Sequence, residues 1–491
     1  MAQQVAAPLD KNDPALRAIL TEIEADAEQA RVKAKIPGMS IVIVYDQDVL
    51  LAKGFGYADL EKKIPADPKT VYRTGSVTKA FTALMLMQLS EAGKLHLDDP
   101  IEKYLPEFKI KSRFPDARPA TFRQVAAHYS GLPEEAPMLH EYQVTDEFPS
   151  VEDQLKSLKD ADSEMMIPAM TMYSYSNLGY DIMGLALSRV AKQPYDQYVA
   201  AQILKPLGMD LSGFALTEQM KQHFAVGYKP AGPDGTHEKS SYPMVGLAAG
   251  MLYSNVDDLG NWLSSFFGQG PRGGKQVLGC SSVLEMLTPT AVSTDITRNE
   301  QGRATLLWYG GSTVGFSVNA FRADGEQIHY KPGGMAGFTS MVYINYPRKL
   351  GMALLTNTET DAFPLGYNLL RKLTPVLVKS LERSQAKALE EALPKWQKYT
   401  GKYLITDPNA VPMLTFSEFD VSIVDKKLVI TIPEVRPGSR VWLKEVPLAP
   451  YGNNDFKIEG GSFGNKFITF ESGNDGSMRL KWRNYVFKRQ P

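Results

Sequence analysis

The spacing of apolar residues changes period along the chain, and each change predicts an element. From Asp13 to Ala34 an amphipathic, Ala- and Glu-rich pattern closed by Ile36-Pro37-Gly38 predicts a helix. The apolar runs Met39–Tyr45 and Val49–Phe55 flank Asp46-Gln47-Asp48 and predict a β-hairpin. Ser76–Ala92 is helical and apolar on most faces, so it belongs in an interior, with Gly93 as a left-handed cap. Between about Pro100 and Ser240, helical segments such as Leu178–Val190 and Tyr195–Leu204 alternate with loops, which predicts a mainly helical subdomain. Strand patterns return at Gly315–Phe321, Thr339–Asn345 and Gly351–Asn357, expected to share one antiparallel sheet with the early hairpin.

Beyond these, Val376–Lys398 is dense in Lys, Arg, Glu and Ala and predicts a solvated helix joining two bodies. Short alternating runs follow at Val421–Val424, Lys427–Ile432, Lys466–Glu471 and Met478–Arg483, separated by Asn, Gly and Asp turns. They predict a small all-β barrel or sandwich. The expected organisation is an α+β (α/β) domain over 1–375, its antiparallel sheet flanked by helices and its helical subdomain at about 100–240. A linker helix over 376–395 and a barrel-like domain over 396–491 complete it. No internal repeat is visible.

Composition narrows the function. The 491 residues, 43% hydrophobic and 22% charged, suffice for large cores. Lys plus Arg (54) balances Asp plus Glu (55), so no basic field exists to hold nucleic acid. A small-molecule or peptide substrate is the expected partner. The six histidines lack metal-ligand spacing, so no metal and no cofactor are expected. The single Cys280 excludes an internal disulfide and is expected to be a packed, inert thiol. No apolar run reaches the ~20 residues of a membrane span. The start Met1–Pro8 lacks the basic and hydrophobic regions of a signal peptide and is read as a start placed after a removed leader.

Candidate chemistry begins with a lysine in the apolar helix. Ser76 and Lys79, three apart, share a helix face, and apolar neighbours would desolvate both. Desolvation disfavours the ammonium, which turns Lys79 into a usable base for a serine nucleophile. The same spacing at Ser384–Lys387 lies in the solvated helix, so spacing alone does not separate a catalytic pair from an ordinary one. A second element, Tyr175-Ser-Asn177, opens an apolar helical run, although Tyr343–Asn345 and Tyr451–Asn453 repeat its pattern. A third, Lys331-Pro-Gly-Gly334, sets a cation and two glycines just before a strand, where backbone N–H groups can approach a ligand or simply turn a hairpin. Lys349–Gly351 repeats that spacing.

In this order, Ser76-x-x-Lys79, Tyr175-x-Asn177 and Lys331-x-Gly333 resemble the three motifs of the serine β-lactamase and penicillin-binding protein superfamily. The flanks Ile36–Ser40, Gly54–Tyr57, Arg73–Thr82, Thr121–Pro133 and Ala249–Ser254 extend the resemblance over about residues 34–360, to the class C β-lactamase, D-aminopeptidase and family VIII esterase branch. It implies a β-lactamase-like fold with the site between sheet and helical subdomain. A periplasmic or secreted location is expected from this family resemblance, not from residues Met1–Pro8. It implies Ser76 as the nucleophile of an acyl-enzyme, with Lys79 and Tyr175 sharing acid–base duty. Asn177 and Lys331 are implied to bind substrate, and the N–H groups of Ser76 and Gly334 to hold the oxyanion beside Gly333.

Two departures shape the functional reading. Pro332 supplies neither the hydroxyl nor the N–H often found at that point in relatives, which argues against efficient β-lactam turnover. Ala169–Ser174 lacks the Pro-Gly common before the tyrosine, and Met170 and Met172 offer an adaptable apolar wall or ordinary packing. His128 and Ser130 are read as structural, His329 as a surface residue or a tuner of the site, and the acidic stretch 133–162 as a solvated flap. The expected activity is a metal-independent serine hydrolase. A small-peptide peptidase, with D-residues included, is favoured because peptidase relatives often carry a C-terminal barrel. A carboxylesterase comes second and a β-lactamase third. A non-catalytic binding or assembly protein is the rival from another class, and a homo-oligomer is left open.

Overall fold

The computed structural model describes residues 9–491 apart from 113, 115, 138–149, 161–163, 241–245, 269–274, 299–303, 321–326, 408–415, 434–442, 451–453, 462–465, 474 and 483–484. In chain order the helices are α1 (Pro14–Lys33), α2 (Thr78–Glu91), α3 (Phe122–Ala126), α4 (Val151–Asp160), α5 (Asn177–Ala191), α6 (Tyr195–Val199), α7 (Glu218–His223), α8 (Leu247–Gly250), α9 (Val256–Ser264), α10 (Cys280–Leu287) and α11 (Phe363–Trp396). The first strands are β1 (Gly38–Tyr45), β2 (Asp48–Asp59), β3 (Ile64–Pro65), β4 (Tyr72–Arg73) and β5 (Tyr253–Ser254). They are followed by β6 (Ala291–Arg298), β7 (Ala304–Ser312), β8 (Ser317–Ala320), β9 (Gln327–Met335), β10 (Phe338–Asn345) and β11 (Leu350–Thr356). Two compact units result, one over Leu20–Lys372 and one joining the residues up to Ile19 with Leu373–Pro491.

The first unit carries a nine-stranded sheet in the order β3-β2-β1-β11-β10-β9-β8-β7-β6. Its central strands β1 and β11 are apolar at nearly every position because both faces are covered, and both are buried almost throughout. On one face α9 lies so close that Gly260 meets Val42 and Gly351 meets Leu263. The hairpin and the strands at 339–345 and 351–357 therefore join one antiparallel sheet, as their patterns predict. Strands β6, β7 and β9 escape prediction. In β9, Pro332, Gly333 and Gly334 hide the alternation, yet they lie within the strand and the turn follows at Ala336-Gly337.

Helix α2 runs through the middle of this core, with every residue from Thr78 to Met87 buried. Phe81 stacks on Trp262 with ring centroids 4.8 Å apart. Burying one such side chain contributes about 1.5–3 kcal/mol, which is why a helix with no polar face is stable here. Gly93, at φ +68°, ends the turn after it, and the Lys94 N–H returns to the Leu89 carbonyl. The helical patterns at 178–190 and 195–204 appear as α5 and as α6 continued by a π turn, Ala200–Leu204.

In the second unit, β12 (Gly401–Ile405), β13 (Glu418–Val424), β14 (Lys427–Thr431), β15 (Val446–Pro450), β16 (Asp455–Ile458), β17 (Phe467–Ser472), β18 (Met478–Trp482) and β19 (Tyr485–Arg489) close into a barrel in sequential order. Closure removes the free strand edges that an open sheet would expose. Alternate positions point inward, and Tyr403, Phe419, Phe456, Phe470, Trp482 and Phe487 pack its interior. The charge-rich helix expected from 376 begins earlier, at Phe363, and its later turns lay Leu389, Ala392 and Leu393 against that core.

Two expectations are overturned. Cys280 is exposed at the first position of α10, where the helix axis turns it away from the core that takes Val283 and Leu287. His329 is buried rather than on the surface, because β9 places it on the same side as Lys331, and its Nε2 lies 2.7 Å from the Leu287 carbonyl.

Candidate active site

The chain enters α2 through a 3-10 turn, Gly75–Val77, which projects Ser76 from the helix N-terminus. Gly75 has φ +52°, and a Cβ there would lie 2.6 Å from the Gly334 carbonyl, so glycine is required twice over. One helical turn later Lys79 reaches the same point from a buried position. Its Nζ lies 3.1 Å from Ser76 Oγ, 2.6 Å from Asn177 Oδ1 and 2.7 Å from the Ala249 carbonyl. On the other side of Ser76, the Tyr175 hydroxyl is 2.6 Å from Oγ.

Those distances define what the amine can do. Asn177 Oδ1 and the Ala249 carbonyl are acceptors only. A neutral lysine has two N–H donors and one lone pair, so with both donors committed its lone pair falls toward Ser76. Burial in the apolar core holds Lys79 well below the ordinary lysine range, although the carboxylates of Asp181, Glu135 and Glu134 oppose that shift. Asn177 is itself oriented without ambiguity. Its Nδ2 donates to Glu135 Oε1 at 2.6 Å while its Oδ1 accepts from Lys79, and because a carboxylate only accepts, Glu135 fixes the amide this way round.

Helix α5 supplies Asn177 at its first turn, capped by Ser176, whose Oγ accepts from the Gly179 N–H. The residue before this extended cap is Tyr175. Its ring rests on His128, with centroids 4.3 Å apart, and His128 Nδ1 accepts from the Ser176 N–H at 3.2 Å. Burial, with the positive charges of Lys331 and Lys79 nearby, holds the His128 pKa far down, so this imidazole is a neutral platform.

The third motif arrives on a sheet edge. Beyond the Ser317–Tyr330 pair, β8 no longer covers β9, so Pro332, which has no N–H to give, disrupts no ladder there. Residues 331–335 of this free edge meet the Ser76 turn instead. A Cβ on Gly333 would lie 2.1 Å from the Thr74 carbonyl and 3.1 Å from the Ser76 nitrogen, whereas a Cβ on Gly334 would have nothing within 4 Å among the described residues. Lys331, buried, sets its ammonium 5.4 Å from the Tyr175 ring centroid. Desolvation lowers its pKa to about 8.

Seven residues singled out in the sequence therefore meet at one place: Ser76, Lys79, Tyr175, Asn177, Lys331, Gly333 and Gly334. The repeats of their spacing are accounted for elsewhere. Ser384 Oγ accepts from the Asp10 N–H, the Tyr343 hydroxyl donates to the Phe363 carbonyl, and Asn345 caps the turn at Arg348. Tyr451–Asn453 lies outside the described residues. Sequence reasoning missed Glu135, placed in a solvated flap although Asn177 binds it, and Asp181, which stands one helical turn after Asn177 on the same face of α5. The i, i+4 spacing of Asn177 and Asp181 was the available signal.

A family model described as Beta-lactamase matches residues 23–373. Protein flp of Staphylococcus aureus is 26% identical over 343 residues, which cover 70% of this chain and 64% of that protein. Among solved structures, the octameric penicillin-binding protein homologue from Pyrococcus abyssi superimposes with a TM-score of 0.60 at 25% identity, over 96% of this chain and all of that one. A Beta-lactamase/D-alanine Carboxypeptidase from Yersinia pestis, at 22% identity and a TM-score of 0.58 over 75% of this chain and 99% of that one, shares the fold.

Proposed function

Because the chain belongs to the beta-lactamase family, whose members include serine hydrolases, we propose that it hydrolyses amide bonds of small peptides through an acyl-enzyme on Ser76. The carrying observation is that Ser76 Oγ stands within hydrogen-bond reach of both Lys79 Nζ and the Tyr175 hydroxyl, while the other Lys79 donors are held by fixed acceptors. In this reading Ser76 passes its proton to the Lys79–Tyr175 pair as Oγ attacks the substrate carbonyl. The developing oxyanion rests on the backbone N–H groups of Ser76 and Gly334. The leaving amine takes the proton back from the pair, and a water activated by the same groups releases the acid. Lys331 attracts a substrate carboxylate, and Asn177 orients Lys79 and the acyl group. Pro332 offers no hydroxyl at this point, which argues against efficient β-lactam turnover, and the C-terminal barrel favours a peptidase.

A carboxylesterase acting on apolar acyl groups is the second reading. It is favoured by the segment leading to Tyr175, which exposes Met166, Met170, Met172 and Tyr173. Self-association belongs with either reading, supported by the octameric state of the Pyrococcus abyssi homologue.

The test is the intact mass and peptide map after exposure to a fluorophosphonate. One adduct on Ser76, lost in Ser76→Ala and kept in Ser384→Ala, is the expected result. No adduct on Ser76 would overturn the hydrolase reading and favour a non-catalytic binding protein.

A further inference from the structure

Asp181 is a carboxyl group buried to 2% exposure in the wall behind Lys79, and no step above uses it. It lies on α5 one turn after Asn177, and its Oδ1 accepts from the Ala249 N–H at 3.1 Å. Ala249 is the residue whose carbonyl takes a Lys79 N–H at 2.7 Å. Gln154, buried on α4, donates to the same carboxyl group. The fit is close, because a Cβ on Gly246 would lie 1.6 Å from Asp181 Oδ2, so only glycine is tolerated against the carboxylate.

A structural anchor for Ala249 does not need a charge. Asparagine would accept the same N–H without the several kcal/mol that burying an ionised carboxylate costs. What the carboxylate adds is a negative charge facing a buried amine. We propose that Asp181 is a positioning residue for Lys79, anchoring the α8 turn that orients its amine and setting, through its charge, the pH at which Lys79 becomes free to accept the Ser76 proton. The proposal rests on the acyl-enzyme reading given above.

The groups around the pair define the electrostatic problem. Lys79 faces Asp181, Glu135 and Glu134, the cation of Lys331, the imidazole of His128, and the rings of Tyr175 and Tyr180. Asp181 faces Lys79, Glu135, Gln154, Tyr195 and the Ala249 N–H. Burial raises the Asp181 pKa and lowers that of Lys79, and each charge pulls the other back toward its ordinary value. Removing the Asp181 charge takes away the largest carboxylate influence on Lys79, so the amine loses its proton at lower pH.

The experiment measures the rate constant for phosphonylation of Ser76 by a fluorophosphonate, with loss of fluoride, against pH in the full chain, for wild type, Asp181→Asn and Gln154→Leu. Wild-type labelling on Ser76 first establishes it as an activated nucleophile, and its absence would fail the acyl-enzyme reading rather than this one. The acidic midpoint should then fall by roughly one pH unit or more in Asp181→Asn. Gln154→Leu removes a donor that stabilises the ionised Asp181, so it should move the midpoint in the same direction by less. Circular dichroism and thermal melts identify the variants that fold. A folded variant whose rate is scaled at every pH, with its midpoint unmoved, would overturn the proposal and leave Asp181 as an anchor only.

Discussion

The meeting of the Ser76 turn with the β9 edge can be tested with one methyl group. In Gly333→Ala the added Cβ would sit 2.1 Å from the Thr74 carbonyl and 2.2 Å from Ser340 Oγ, and these two atoms are themselves hydrogen-bonded at 2.5 Å. Thr74 O belongs to the backbone that leads into Ser76, and Ser340 Oγ can move only by abandoning that bond. Turn and strand must therefore part by about 1 Å to reach ordinary packing distances. Overpacking of this kind costs about 1–3 kcal/mol of stability. Because Gly334 moves with Gly333, the proposed oxyanion donors also lose their mutual alignment, and a misplacement of this size would lower the reaction rate about 100-fold or more. The assay is the rate of fluorophosphonate labelling on Ser76 by intact mass, with urea unfolding of the same sample. Gly334→Ala is the control, because its Cβ enters open space. It should match wild type in stability and accept the small fluorophosphonate while slowing bulky substrates. Wild-type labelling by Gly333→Ala, or equal destabilisation by both variants, would refute the reasoning.

Two further predictions follow from buried charges. Lys331 is cationic below about pH 8 and neutral above it, so KM for a peptide with a free carboxylate should rise above that pH while KM for an uncharged ester stays flat; parallel rises in both would remove Lys331 from carboxylate binding. Asp258 accepts from the Leu211 N–H and the Ser212 hydroxyl, and desolvation raises its pKa from 3.8 to about 6. Its raised affinity for a proton favours the folded state fully below 3.8, and that advantage is lost as pH rises through about 6, to an extent of about 3 kcal/mol. Asp258→Asn keeps an acceptor oxygen, so it should be more stable than wild type at pH 8 by up to that amount and not at pH 4, measured by urea unfolding. An equal gain at both pH values would assign the effect to packing rather than charge.

Much of the architecture was written in local pattern. The central strands β1 and β11, the apolar helix α2, the capped start of α5 and the alternating strands of the barrel each follow from residues within one element. Strand β9 was not legible because Pro332, Gly333 and Gly334 erase the alternation that marks a strand. Cys280 and His329 were misplaced for a related reason. Exposure is set by what packs against an element, and a lone cysteine or histidine carries no period.

The chain's own order of residues determined which chemistry was available: a serine and a lysine one helical turn apart, a tyrosine two residues before an asparagine, and a lysine followed by glycines. Those relations are local, and backbone geometry converts short spacings into shared faces. Tertiary structure alone decided which copies of each motif meet. Ser76 and Tyr175 stand 2.6 Å apart across 99 residues of sequence, whereas Ser384 lies on a solvated helix where its Oγ accepts from the Asp10 N–H. It also decided that Glu135 fixes the Asn177 amide and that Asp181 stands behind Lys79. The physical reason is that proton affinity and orientation depend on desolvation and on partners brought together by long-range packing, and neither is encoded within any single stretch of the chain.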